Sequence, residues 1–105
     1  MDSDNLKNIL NIKSIEEKII KYKTMYHPNL VANLSKEAYD LYVVRSSISD
    51  KLNSLIEKNR SNYDEVHKYI KNQIASLNNK LHNSQDEQEK IYLKLTIDVW
   101  NDFLS

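Results

Sequence analysis

Residues 91–100, IYLKLTIDVW, decide between a purely helical fold and one that contains a strand. Apolar side chains occupy every second position from Ile91 to Val99, which is the spacing of a half-buried strand. No other segment alternates in this way, so a strand here would have no partner within the chain. Just upstream, Ser84-x-x-Glu87 has the form of a capping box, which marks the start of a helix. We therefore predict that this stretch is helical.

On a helical wheel, residues 91–104 show an apolar arc of roughly 240°, far wider than the stripe of about 100° or more on an ordinary surface helix. A helix of this kind is packed on two sides. We predict that one sector faces the chain's own core and that the other forms a homodimer interface with Trp100 as its anchor. The alternative is a central helix surrounded by the other three. The core sector would be Ile91, Leu95, Val99 and Phe103, and the interface sector Leu93, Ile97, Trp100 and Leu104.

The composition favours long helices joined by short links. Among 105 residues there is no glycine and only one proline, Pro28, whereas hairpins and barrels rely on glycine-containing turns. Apolar residues recur at helical spacing in four segments. We predict a single all-α domain over 1–105, an antiparallel bundle with one helix of about 30 residues. The helices are expected near 4–26, 29–58, 62–82 and 86–104.

Charge and cysteine content exclude several classes of function. The 15 basic and 15 acidic residues balance, and 13 of the 15 bases are lysine, so nucleic-acid binding is disfavoured. The chain has no cysteine, which excludes disulfides, zinc–thiolate sites and cysteine nucleophiles. The histidines lack the spacing of metal ligands, and glycine-rich phosphate loops are missing. We expect no cofactor and no metal.

The setting of the protein can also be predicted. No apolar run approaches the ~20 residues of a membrane span, and the first residues, MDSDNLKN, lack the pattern of a secretion signal. We expect a cytoplasmic protein, in the host cytoplasm if it is viral, with no membrane partner. Lysine, asparagine and isoleucine supply 37 of the 105 residues, a bias typical of an AT-rich genome such as that of a phage, a virus or another mobile element.

Arg45, Tyr39 and Tyr42 are candidate binding residues on the second predicted helix. Arg45 lies on the apolar face, between Leu41 and Ile48. Either its stem covers apolar surface while its head reaches solvent or a carboxylate, or it is a charge kept to receive an acidic group. Tyr39 and Tyr42 lie off the apolar stripe and are expected to be exposed. Because exposed aromatic residues are frequent at binding hot spots, we predict a contact surface here.

One segment suggests an enzymatic alternative. RSNYDEVHKY, from Arg60 to Tyr69, resembles the arginine–histidine motif of HEPN-domain proteins, and His67-x-Tyr69 resembles the ending of that motif in HEPN toxins. The resemblance implies an all-α dimer that cleaves RNA without metal. Arg60 would then orient phosphate, His67 would act in acid–base chemistry, and Tyr69 could be a regulatory target.

Most features nevertheless favour a small non-enzymatic protein that acts by protein–protein interaction, as a regulator, inhibitor or adaptor. The sequence does not identify the partner. Two alternatives stay open, a HEPN-like metal-independent ribonuclease toxin and a nucleic-acid-binding regulator.

Overall fold

Four α-helices and no strand occur in the described part of the chain, so the all-α prediction is confirmed. The computed structural model describes residues 3–26, 31–58 and 62–104, with side chains from residue 6 onward. Within these ranges no helix has the length and apolar character needed to cross a bilayer. The helices are α1 (Ser3–Thr24), α2 (Lys36–Lys58), α3 (Tyr63–Asn83) and α4 (Glu87–Asp102).

The stretch 91–100 lies inside α4 and is helical, as predicted. The residue that caps this helix is Asp86, whose carboxylate accepts hydrogen bonds from the backbone N–H groups of Gln88 (2.9 Å) and Glu89 (3.4 Å). Ser84, predicted to be the cap, instead ends α3 and donates its backbone N–H to the Leu81 carbonyl. A carboxylate at this position also interacts favourably with the helix dipole, which explains the choice of Asp86.

The long helix is shorter than predicted. It begins at Lys36 rather than at residue 29 and contains 23 residues. Ser35 precedes it, and its hydroxyl accepts a hydrogen bond from the Ala38 N–H at 3.2 Å. Because an N-cap residue has a non-helical backbone, the cap at Ser35 separates the apolar positions before it from the helix. Pro28 lies outside the described residues.

The four helices alternate in direction along the chain, but they are not arranged in sequence order. Around the bundle the order is α1, α2, α4, α3, because α2 packs against α4 far more than against α3. Consecutive helices are therefore antiparallel, whereas the neighbours α2 and α4 run parallel. The antiparallel register of α1 and α2 is visible where Lys23 forms an ion pair with Asp50 while Tyr26 contacts Tyr42.

Both predicted sectors of α4 are largely buried within the single chain, and Ile91 is the exposed exception. Trp100, placed at a dimer interface, is only 2% exposed in the single chain, and Leu93 and Ile97 are buried as well. Ile91, placed in the core, is 61% exposed, and Tyr92 is 45% exposed. This correction has a simple cause: α4 lies between α2 and α3, so its own chain covers both of its flanks. Val99 and Phe103 are buried as predicted, and Leu95 and Leu104 are half-buried.

Candidate protein-binding surface

Arg45 is held by aromatic side chains where the end of α1 meets α2. Its Nη1 donates a hydrogen bond of 3.0 Å to the Tyr26 hydroxyl and lies 3.9 Å from the Met25 sulfur. Its guanidinium carbon lies 4.8 Å from the centre of the Tyr22 ring, which is a cation–π contact. The antiparallel register of α1 and α2 brings these residues together.

The Arg45 side chain is incompletely paired. Neither of the ion pairs found in the described residues, Lys23–Asp50 and Lys90–Glu87, involves it. Its Nε is buried and has no hydrogen-bond partner within that part of the chain. The π-face of Tyr22 therefore carries part of the compensation that a carboxylate usually gives a partly buried guanidinium. Of the two sequence-based interpretations, the half-buried position agrees with a stem that covers apolar surface.

Three tyrosine rings extend from Arg45 to the surface. The ring centres of Tyr26 and Tyr42 are 4.8 Å apart at 62°, and those of Tyr42 and Tyr39 are 5.9 Å apart at 53°. Tyr39 is 47% exposed, Tyr42 is half-buried, and Met25 beside them is exposed. We call Tyr26, Tyr39, Tyr42 and Arg45 the tyrosine–arginine cluster.

The cluster contains all three residues that the sequence identified on α2, together with one that it did not. Tyr39, Tyr42 and Arg45 follow one another at intervals of three residues on α2, so each is a neighbour of the next, from the flank of the helix to its apolar face. Tyr26, which follows α1, was not among the candidate residues identified from the sequence. Its meeting with Arg45 depends on the α1–α2 register, for which the sequence contains no local signal.

Two residues of the HEPN-like pattern, His67 and Tyr69, lie on different sides of α3. Arg60 lies outside the described residues. His67 lines a cavity of about 440 Å³ between α1 and α3, where its ring lies 5.6 Å from that of Tyr63. Tyr69 turns to the other side of α3, packs edge-on against Trp100 at 5.9 Å, and lines a different cavity near the end of α2. Two positions along a helix differ by about 200°, which accounts for the separation.

The cavity beside His67 is polar and contains a perturbed tyrosine. Burial, and then the negative charge of Asp64, raise the pKa of Tyr63 above its usual value of 10.0. The backbone N–H of Tyr63 donates to the side-chain oxygen of Asn8, so α1 caps the first turn of α3. Lys7 and Asn11 complete the lining. The arrangement has an evident structural role, which is to join α1 to α3.

Metal ligands do not gather in the described residues, where no group of three or more histidine, aspartate or glutamate side chains could hold an ion. Comparison of the chain with protein-family models, with curated proteins and with solved structures gives no match.

Proposed function

We propose that this protein acts by binding another protein through the tyrosine–arginine cluster, as a regulator, inhibitor or adaptor. The observation that carries the proposal is the joining of Arg45, Tyr26, Tyr42 and Tyr39 in one continuous surface that reaches solvent at Tyr39. Tyrosine, arginine and methionine are the residues enriched in the cores of protein interfaces.

The energetics of this surface support binding rather than a purely structural role. Tyr39 leaves about half of a large ring in water, although ring burial is strongly favourable. The rings of Tyr26 and Tyr42 beside it pack against each other, so this part of the surface is already ordered. Binding of a partner would therefore cost less conformational entropy. Arg45 adds a guanidinium without an ion-pair partner in the described residues.

Site-specific photo-crosslinking in cells of the source organism tests the proposal. A photoreactive amino acid at position 39 should label a discrete protein, whereas the same group at position 72, an exposed site on α3, should not. Tyr42→Ala, introduced with the crosslinker at position 39, should reduce the labelling strongly because the ring supports Tyr39. Equal labelling from positions 39 and 72, or none from either, would contradict the proposal.

The two alternative functions predict different results. A ribonuclease of the HEPN type would cleave RNA, and His67→Ala would abolish the cleavage. A nucleic-acid-binding regulator would shift labelled DNA or RNA in a gel, with affinity falling steeply as salt rises. Either result with the purified chain would replace the protein-binding proposal. We expect neither, because both functions require binding of a polyanion and the net charge of the chain is zero.

A further inference from the structure

A groove runs between the parallel helices α2 and α4. It consists of two cavities, of about 150 Å³ and about 330 Å³, and Leu95 lines both. Tyr22 of α1 also lines the larger cavity, so α1 borders that end of the groove. The α4 side presents one stripe at spacings of three and four residues, from Gln88 through Ile91 and Leu95 to Asp98 and Asp102. This stripe is about 21 Å long, or roughly four helical turns. We call this feature the α2–α4 groove.

The shape of the α2–α4 groove fits a helix. On the α2 side, Glu37, Leu41 and Arg45 follow one another at intervals of four residues, parallel to the α4 stripe. Two parallel rows of side chains at helical spacing are the surface into which a third helix packs its own ridges. Apolar side chains are already available to such a helix, since Ile91 and Tyr92 are largely exposed.

The charge of the groove selects the kind of helix. Carboxylates occur on both of its sides, whereas Arg45 is the cation among the residues that line it. Two lysines of α1 border its larger cavity: Lys18 Nζ donates to the Asp102 carbonyl, and Lys21 Nζ lies 6.0 Å from the centre of the Tyr22 ring. Arg45 is turned toward Tyr22 of α1 and toward Tyr26, which follows that helix. A nucleic acid would be repelled by these carboxylates, whereas lysine or arginine side chains would be attracted. The carboxylates that a partner would meet are Glu37, Asp40 and Asp98, while Asp102 lies beside Lys18.

We infer that the α2–α4 groove binds a basic amphipathic helix of a partner protein. Apolar residues of that helix, three or four positions apart, would cover Ile91, Tyr92 and Leu95, and lysine or arginine residues beside them would meet the carboxylates. The inference rests on the proposed function and adds the chemistry of the partner, since Arg45 belongs both to the groove and to the tyrosine–arginine cluster.

The test uses two labelled helical peptides of about 18 residues, long enough for the groove, one built from leucine and lysine and the other from leucine and glutamate. Fluorescence anisotropy should show that the wild-type chain binds the leucine–lysine peptide at least about tenfold more tightly than the leucine–glutamate peptide. Ile91→Ala should weaken that binding several-fold. Ile20→Ala, on α1, is the matched control because Ile20 and Ile91 are 60% and 61% exposed.

Charge reversal gives a second comparison. Glu37→Lys combined with Asp98→Lys should weaken binding of the leucine–lysine peptide by about tenfold, since two exposed ion pairs are replaced by repulsion. Glu57→Lys combined with Glu65→Lys makes the same change in net charge, again with one residue in the first turn of a helix, and should weaken it much less. All four side chains are exposed, so each variant should fold, as circular dichroism will verify.

Three results would overturn the inference. The first is that both charge-reversal variants weaken binding of the leucine–lysine peptide equally, and the second is that this peptide does not bind at all. The third is that Ile91→Ala changes the oligomeric state, which would make the groove a contact between copies of this chain. If position 39 crosslinks a cellular protein while neither peptide binds, the inference fails and the proposed function stands. If nothing crosslinks from position 39, the proposed function fails, whatever the peptides do.

Discussion

Trp100 belongs to the core of the single chain, where its ring packs edge-on against Tyr69 of α3. It is one of the largest fully buried side chains, together with Phe103, whose ring lies 5.4 Å from Tyr22 of α1. These two aromatic residues of α4 therefore join three helices. A partner surface cannot reach Trp100 without opening the bundle.

Replacing Trp100 should therefore destabilise the fold rather than dissociate a dimer. We expect Trp100→Ala to lower the free energy of unfolding by about 3–5 kcal/mol, from lost burial and the cavity left behind. Tyr92→Ala, on the exposed side of α4, should change it by less than about 1 kcal/mol. Urea unfolding followed by circular dichroism measures both. If Trp100→Ala yields an equally stable monomer from a wild-type dimer, the original interface assignment was right.

Tyr63 should make stability depend on pH in the alkaline range. Its pKa is raised in the folded chain, so the folded state holds the phenolic proton more tightly than the unfolded state does. The contribution of Tyr63 to the free energy of unfolding should accordingly be constant below pH ~10 and should fall as the pH rises further. Urea unfolding below and above pH ~10 should show a smaller decline for Tyr63→Phe than for the wild type. An identical decline in both proteins would contradict this assignment.

At the scale of helices, the ends are set by individual capping residues rather than by the extent of the apolar pattern. Ser35 starts α2, and Asn62 accepts from the Glu65 N–H at the start of α3. Asp86 starts α4. Ser14, which has the form of a capping box with Glu17, lies inside α1, where the backbone donors are already used by the helix.

The cap of α4 provides a test at this scale. Asp86→Ala should lower the free energy of unfolding by about 0.5–2 kcal/mol, because the backbone N–H groups of Gln88 and Glu89 lose their acceptor. Asp86→Asn retains an acceptor and removes only the charge, so it should cost less. Ser84→Ala is the control for the cap predicted from the sequence. If Ser84→Ala were the more damaging variant, the predicted capping box would be the true one.

The whole molecule is flatter than a typical globular domain of its length. Its dimensions are 49 × 37 × 20 Å and its radius of gyration is 15.3 Å, against about 13 Å expected for 100 residues. Such a shape leaves apolar residues uncovered. The clearest group is at the start of α1, where Leu6, Ile9 and Leu10 lie on adjacent turns and are each about half exposed.

Self-association remains a prediction, and we now expect it at this part of α1, where the apolar side chains are exposed. A patch of three aliphatic side chains favours burial against a second copy, most simply in a symmetric dimer. We expect the wild type to sediment as a dimer at tens of micromolar and Leu10→Asp to sediment as a folded monomer. Ile91→Asp, at an equally exposed residue of α4, should leave the dimer intact. A monomeric wild type would end the dimer prediction.

The sequence by itself determined the fold class and the location of the helices to within a few residues, with the start of α2 as the main error. The absence of glycine and the spacing of apolar residues by three and four positions are features of the sequence alone, so they can be recognised without knowing which helices pack together. Tyr39 and Tyr42 were identified as a flank of the apolar stripe for the same reason, because positions on a single helix follow from sequence spacing alone.

Only the tertiary structure decided which side of α4 is buried. Its apolar arc is so wide that Trp100 and Ile91 are equally plausible core residues on a helical wheel, and the choice depends on where α2 and α3 lie. The meeting of Tyr26 with Arg45, and the groove between α2 and α4, depend in the same way on helix order and register. Those are set by packing between residues distant in sequence, which a local pattern does not encode.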